Sequence, residues 1–245
     1  METVVIFFAL DAESGCFEDL LSGTRRTRGD GFDVTLGRLA SENQHIYVIR
    51  TGVGSKNARR AAEAVLQAHH PDYAISAGFA GALIPEFKKS DLFFPTEVCD
   101  EVCRLITLDP FPQRILESRA AKQDTVQGGR LLTLPCVAAD AAEKENYARE
   151  FSAKAVDMET YALAEVCRER NTPLYCVRAI SDSLQQEIPK DIQKLMTQKT
   201  FFSQLGAAFS TAVKRPKSIL EMAKLRGDAF GAAVRLSEIL EKTVR

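Results

Sequence analysis

Residues 155–160 read Ala155-Val156-Asp157-Met158-Glu159-Thr160. Behind them, Tyr161 to Arg170 sets alanines, Leu163, Val166 and Cys167 among Glu165, Arg168, Glu169 and Arg170. This is a buried strand running straight into an amphipathic helix. In open α/β folds ligands sit beyond the carboxyl ends of strands. Glu159 falls at such an end, in the first turn of the helix, where the dipole favours a carboxylate. A carboxylate there can accept two hydroxyl hydrogen bonds at once, and a vicinal diol offers that pair. The Met158 thioether can lie against an apolar ring face. For an isolated pair the plainer alternative is a helix-start charge at Glu159 and core packing at Met158.

The flanking segments repeat the strand-then-helix pattern. Thr3–Leu10 (TVVIFFAL) is an almost continuous apolar run, as in a strand covered on both faces. It ends in Asp11-Ala12-Glu13, which puts Glu13 on the same rim as Glu159 if the strands are parallel; a short helix, Ser14 to Leu21, follows. Arg25 to Asp33 reads as a turn region. Val34–Arg38 and His45–Arg50 read as strands, and the second enters Thr51-Gly52-Val53-Gly54-Ser55 and a helix from Asn57 to Ala68. The amides around Gly52 suit an anion or a water. The segment is neither GxGxxG nor a Walker loop, and a tight turn explains it equally well. Tyr73–Ala77 is a strand leading into Gly78-Phe79-Ala80-Gly81. Asp91–Val98, Val102–Leu108 and Arg130–Val137 are strand-like, Arg114–Lys122 and Ala138–Phe151 helical. Leu174–Ile180 is a buried strand carrying Arg178, which needs a carboxylate partner or a place facing the site. It exits through Ser181-Asp182-Ser183. Ile192–Lys214 and Ile219–Val244 are helical in pattern, the latter with a break expected near Gly227. The reading is one domain, 1–213, with a C-terminal helical extension, 214–245, packed on it.

Composition narrows the classes. The 245 residues are 45% hydrophobic and 27% charged, with a formal net charge of −1. That is ordinary globular usage, with no electrostatic case for nucleic acid or an anionic membrane. No secretory leader or spanning segment is expected, nor stable membrane insertion. Six cysteines without a C-x-x-C pair, and three histidines out of register with them, argue against a metal and suit a reducing cytoplasm. Cys136, Cys167 and Cys176 read as small core residues. The basic tail residues Lys214, Arg215, Lys217, Lys224 and Arg226 read as a solvated helix face.

Carboxylates therefore stand at three strand ends: Glu13, Glu159 and Asp182. Cleavage of a ribosyl–purine bond uses such a set, one to activate water, one to hold the ribose diol and one to protonate the base. The order Ala9-Leu10-Asp11-Ala12-Glu13, Thr51-Gly52-Val53-Gly54, Ala77-Gly78-Phe79-Ala80-Gly81, Val156-Asp157-Met158-Glu159 and Val177-Arg178-Ala179-Ile180-Ser181-Asp182 resembles the nucleoside phosphorylase superfamily. Its nearest branches are the methylthioadenosine/adenosylhomocysteine nucleosidases and the hopanoid-associated phosphorylases. The resemblance implies a three-layer α/β/α fold with a mixed central sheet, a homo-oligomer with a dimer favoured, a small-molecule nucleoside as partner, and no cofactor beyond phosphate as co-substrate in a phosphorylase. It implies Glu13 as the water-activating carboxylate, Met158 and Glu159 at the ribose, and Asp182 at purine N7. Ser181 and Arg178 would position that acid and its loop, and Val137 would read the purine edge through its backbone. Phe79 stands where nucleosidases commonly have serine. Ser76 stands where hexameric phosphorylases carry a phosphate-binding arginine, and Asp11-Ala12-Glu13 replaces their Gly-Asp segment; a carboxylate at Glu13 would repel phosphate. These points favour water, whereas the C-terminal extension resembles the hopanoid-associated branch. Arg50 or Arg59 is a possible cation. The short segment between Val98 and Arg130 would leave the 5′ end open to a large or apolar substituent. A nucleoside-binding protein without turnover is the alternative of another class, and Phe79 is the residue that would support it. The absence of GxGxxG argues against an NAD-dependent oxidoreductase.

Overall fold

The computed structural model describes residues 2–40, 44–118, 125–138, 140–186 and 216–245, with the backbone alone for 216–228. The helix read at Ile192–Lys214, the end of the one at Arg114–Lys122 and the side chains of the basic tail lie outside the described residues.

Strand β1 (Glu2–Phe8) is the spine. Its alternate residues feed two cores: Val5 and Phe7 pack on one face of the sheet, Val4, Ile6 and Phe8 on the other. The first face is covered by α2 (Ser55–His69) and α5 (Thr160–Glu169). The second is covered by α1 (Asp11–Glu18) and α6 (Pro216–Thr243). The result is a three-layer α/β/α arrangement. Beside β1 run β4 (Gln44–Arg50) and β5 (Tyr73–Ala82), both parallel to it. β12 (Leu174–Asp182) pairs in parallel with the far side of β5. β11 (Ala153–Asp157) meets the end of β5 antiparallel, so the sheet is mixed.

One detail of register builds the site. β1 pairs with β5 only as far as Phe7 opposite Ser76, and β11 joins it only at Val156 opposite Gly81. Between these, Ala77–Ala80 have β12 alone as neighbour. The carboxyl ends of β1 and β11 converge on this gap, and its backbone donors are left for side chains to satisfy.

Four readings need correction. Arg25 to Asp33 is not all turn: β2 (Ser22–Arg28) is an edge strand with every residue exposed, paired with β3 (Asp33–Arg38). Its charges on both faces hide the strand period and guard the edge. Asp91–Val98 is two strands, β6 (Leu92–Phe94) and β7 (Glu97–Cys99), because Pro95 between them has no N–H for a ladder. Helix α6 runs unbroken through Gly227; a helical glycine costs only ~1 kcal/mol. The segment Val102–Leu108 yields β8 (Leu105–Thr107) as a partner for β7. Short strands β9 (Thr125–Gln127) and β10 (Arg130–Thr133) and helices α3 (Gln113–Leu116) and α4 (Ala141–Phe151) complete the described elements. Ala232, Leu236, Ile239 and Leu240 of α6 are buried in the second core, and the Ser237 hydroxyl donates to the Cys16 carbonyl at 3.1 Å. Cys167 and Cys176 are buried, but Cys136 is exposed in the loop after β10 and is not core. Among the described residues no helix is long and apolar enough to cross a membrane, and no cluster of His, Cys, Asp or Glu could hold a metal ion.

Candidate active site

Glu13 is the third residue of α1, where a glutamate reaches back to the amide before the helix. Its Oε2 accepts from the amides of Ala9 and Leu10, each at 2.8 Å. Its Oε1 accepts from the Phe79 amide at 2.8 Å, one of the donors freed in the gap. Gly78 makes this approach possible: a Cβ there would lie 2.7 Å from Glu13 Oε1. The side chain is buried, and desolvation pushes its carboxyl above the usual range against the pull of the three amides and of Arg178.

Glu159 immediately precedes α5, and its Oε1 accepts from the Gly54 amide at 2.7 Å. Burial first, then the charge of Asp157, push its pKa up to about 8, against the Gly54 hydrogen bond. Gly54 has φ 95, a conformation that suits glycine. The group held at this glycine turn is thus the protein's own carboxyl, and the amide that holds it belongs to Gly54. Gly52 (φ 78) shapes the turn.

Arg178 has its carboxylate partner and also lines the cavity. It pairs with Asp157 at 2.9 Å, donates to Ser76 Oγ at 2.7 Å and Thr160 Oγ1 at 2.5 Å, and reaches the Val177 carbonyl. Asp157 in turn accepts from the Thr160 amide at 3.0 Å, capping α5, and from Thr133 Oγ1 at 2.6 Å. This buried network ties β5, β10, β11, β12 and α5 together behind the site.

Glu13, Phe79, Glu159 and Arg178 line one small cavity with Phe8, Thr51, Ser76, Gly78 and Leu163. Asp182 lies beyond that cavity, at the end of β12, where a bulge sets it opposite Gly81. A Cβ on Gly81 would lie 3.1 Å from Asp182 Oδ2. Ser181 Oγ is 2.7 Å from Asp182 Oδ1 and 3.2 Å from the Ala80 carbonyl. Met158, Val137 and Gly52 also stand outside the cavity lining. Met158 takes a hydrogen bond from Ser55 on its carbonyl at 3.0 Å, and Val137 is half-buried between β10 and α4. Arg50 is engaged by Asp11, Glu18 and Asp33, and Arg59 by Glu165, Glu63 and Glu169. Neither lines the cavity.

Sequence reading gave no role to Lys144. Its side chain is fully buried and its Nζ lies 2.5 Å from Asp182 Oδ2. Lys144, Tyr147, Ala148 and Phe151 fall at i, i+3, i+4 and i+7 on α4. The signal was therefore present: a lysine in register with the apolar stripe rather than with its neighbours Glu143 and Glu145.

In this mixed α/β sheet the carboxyl groups of Glu13 and Glu159, carried past the ends of two strands, face one cavity. The family model described as the phosphorylase superfamily matches residues 7–218, and the chain belongs to that superfamily. A 5′-methylthioadenosine/S-adenosylhomocysteine nucleosidase of Marinomonas sp. (strain MWYL1) is 24% identical over 215 residues, covering 80% of this chain and 92% of the relative. The enzyme so named from Geobacillus kaustophilus (strain HTA426) is 26% identical over 201 residues, covering 74% and 85%. Among solved structures, the Helicobacter pylori nucleosidase complexed with an aminopyrrolopyrimidine joined to a thioether-bearing pyrrolidinol superposes with a TM-score of 0.75 at 17% identity. That match covers 99% of this chain and 97% of that one.

Proposed function

We propose that this protein hydrolyses the N-glycosidic bond of an adenosine-like purine nucleoside bearing a 5′ substituent, with water as nucleophile and no cofactor. The observation that carries the choice of water is Glu13. Three backbone amides fix a carboxylate where a nucleophile would stand, and it would repel phosphate. The cation that lines the cavity, Arg178, spends its donors on Asp157, Ser76, Thr160 and a carbonyl. The nucleosidases to which the chain is similar support the same reading.

In this reading Glu159 accepts the ribose 2′ and 3′ hydroxyls, with Met158 against the sugar face. Glu13 takes a proton from water as its oxygen attacks C1′. Asp182, backed by Ser181, meets N7 of the departing base, and Val137 offers backbone groups to the purine edge. Positive charge on the sugar and negative charge on the base develop between carboxylates fixed beforehand, the economical arrangement for such a transition state. The protein acts in the cytoplasm as a homodimer, a reading supported by the resemblance to the nucleosidase branch and by the exposed Val102 and Leu105 beside the β7–β8 turn.

The test is product analysis with adenosine, inosine, 5′-methylthioadenosine and S-adenosylhomocysteine, with and without phosphate. Free base and free sugar without phosphate are expected. Release only with phosphate, as a sugar 1-phosphate, would replace hydrolysis by phosphorolysis; no base from any of them would favour a binding protein. Light scattering gives the oligomer.

A further inference from the structure

The Lys144–Asp182 pair has a hydrogen-bond set that closes in two protonation states. As an ammonium, Lys144 has three donors, and three acceptors surround it: Asp182 Oδ2 at 2.5 Å, the Ser183 carbonyl at 3.0 Å and the Gln186 carbonyl at 3.2 Å. As a neutral amine it would keep two N–H groups for the two carbonyls and turn its lone pair to a protonated Asp182. Ser181 matches this. Its single hydroxyl proton has two acceptors in reach, Asp182 Oδ1 at 2.7 Å and the Ala80 carbonyl at 3.2 Å. It can donate to an ionised Asp182 or release it and donate to Ala80. No heavy atom need move. A clamp alone would need none of this symmetry, and a solvated lysine would not be fully buried.

We propose that Lys144 supplies, through Asp182, the proton taken up by the leaving base. The inference rests on the hydrolase reading above. As the C1′–N9 bond breaks, its electron pair passes to the purine and the water oxygen bonds C1′. One water proton goes to Glu13. N7 takes a proton from the Asp182 carboxyl, which takes one from Lys144 Nζ, leaving the lysine neutral. Glu13 then loses its proton to solvent and Lys144 regains one, which restores the starting state. Lys144 does not touch the substrate; it is a positioning residue that also stores the proton.

Two variants separate storage from clamping. Lys144→Arg keeps the positive charge and the donors, but a guanidinium does not give up its proton. Lys144→Met fills the space and leaves Asp182 to carry its own proton. Both are assayed across pH 5–9 with whichever nucleoside the wild type cleaves. The expected result for arginine is KM within a few-fold of wild type and kcat down ~10²-fold or more, the scale of acid–base groups. For methionine, activity should survive best at the acid end, with the profile displaced from the wild-type one. Wild-type kcat in the arginine variant, or an unshifted profile in the methionine variant, would overturn the proposal. If arginine is too large for the folded site, the methionine profile decides alone. Base release by the wild type is measured alongside, so failure of the hydrolase reading is seen separately.

Discussion

Glu159→Gln is expected to make the protein more stable and less competent, with a gain that grows with pH. The Glu159 carboxyl has an ordinary pKa of 4.5 and is pushed up to about 8 in the folded chain, by burial first and then by Asp157. Below about 4.5 it is protonated whether the chain is folded or not, and it contributes nothing. Between about 4.5 and 8 the unfolded chain releases the proton while the folded chain keeps it, so stability falls as pH rises. Above about 8 the penalty levels off. At pH 7 the difference amounts to about 3 kcal/mol at most, at ~1.4 kcal/mol for each tenfold change in proton concentration above the unfolded value. Glutamine is neutral, fits the same space and still offers an oxygen to the Gly54 amide. The variant should match wild type near pH 4.5, exceed it by about 1–3 kcal/mol at pH 7 and by more at pH 8, several degrees in Tm for a chain of this length. Urea unfolding at pH 5 and pH 8 reads this directly. In the same variant the discrimination between ribo- and 2′-deoxynucleosides should collapse. Unfolding curves for the two proteins that stay parallel over that range would refute the buried-carboxyl argument, and undiminished discrimination would refute the diol role.

Three further outcomes follow from the geometry. Gly78→Ala should fold, because the group its Cβ would meet at 2.7 Å is the movable end of Glu13. Turnover should drop by roughly the ~10²–10⁴ assigned to acid–base groups, and wild-type kcat would show that Glu13 need not stand there. Asp182→Asn should lower kcat on the same scale, and because it leaves the buried Lys144 without its counter-charge it should lower the melting temperature as well; near-normal turnover would remove Asp182 from the mechanism. Arg178→Met leaves Asp157 buried without its cation, a loss of about 3–5 kcal/mol in chemical denaturation; a change below ~1 kcal/mol would mean the network is dispensable.

The sequence carried the parts of this fold that are wet on neither face. β1, β4, β5 and β12 are mainly apolar runs, and the carboxyl groups that follow or close β1, β11 and β12 made Glu13, Glu159 and Asp182 legible as rim residues. β2 was not legible, because an edge strand of arginines and threonines has no buried face to impose a period of two. The limit of β1 against β5 was also hidden: pairing that stops at Ser76 and resumes at Gly81 is a property of three strands at once. Hence the choice of Gly52 over Gly54 for the glycine turn, and the absence of any role for the Phe79 amide. Lys144 was hidden among charges of its own helix, although its register with Tyr147 and Phe151 distinguished it. The burial of Asp157 and its hold on Arg178 were open to inference only as the partner that a guanidinium in an apolar strand demands.

The gap at Ala77–Ala80 divides the site into two kinds of hardware. The hold on Glu13 is built from main-chain amides of residues 9, 10 and 79, which every amino acid but proline possesses, so point substitution at those positions cannot delete it. The end at Asp182 depends on the side chains of Ser181, Asp182 and Lys144, each removable in a single step, although backbone carbonyls also take part. Divergence on this scaffold is therefore unequal. The grip on Glu13 is inherited with the topology, while the cluster at Asp182 is open to revision one residue at a time.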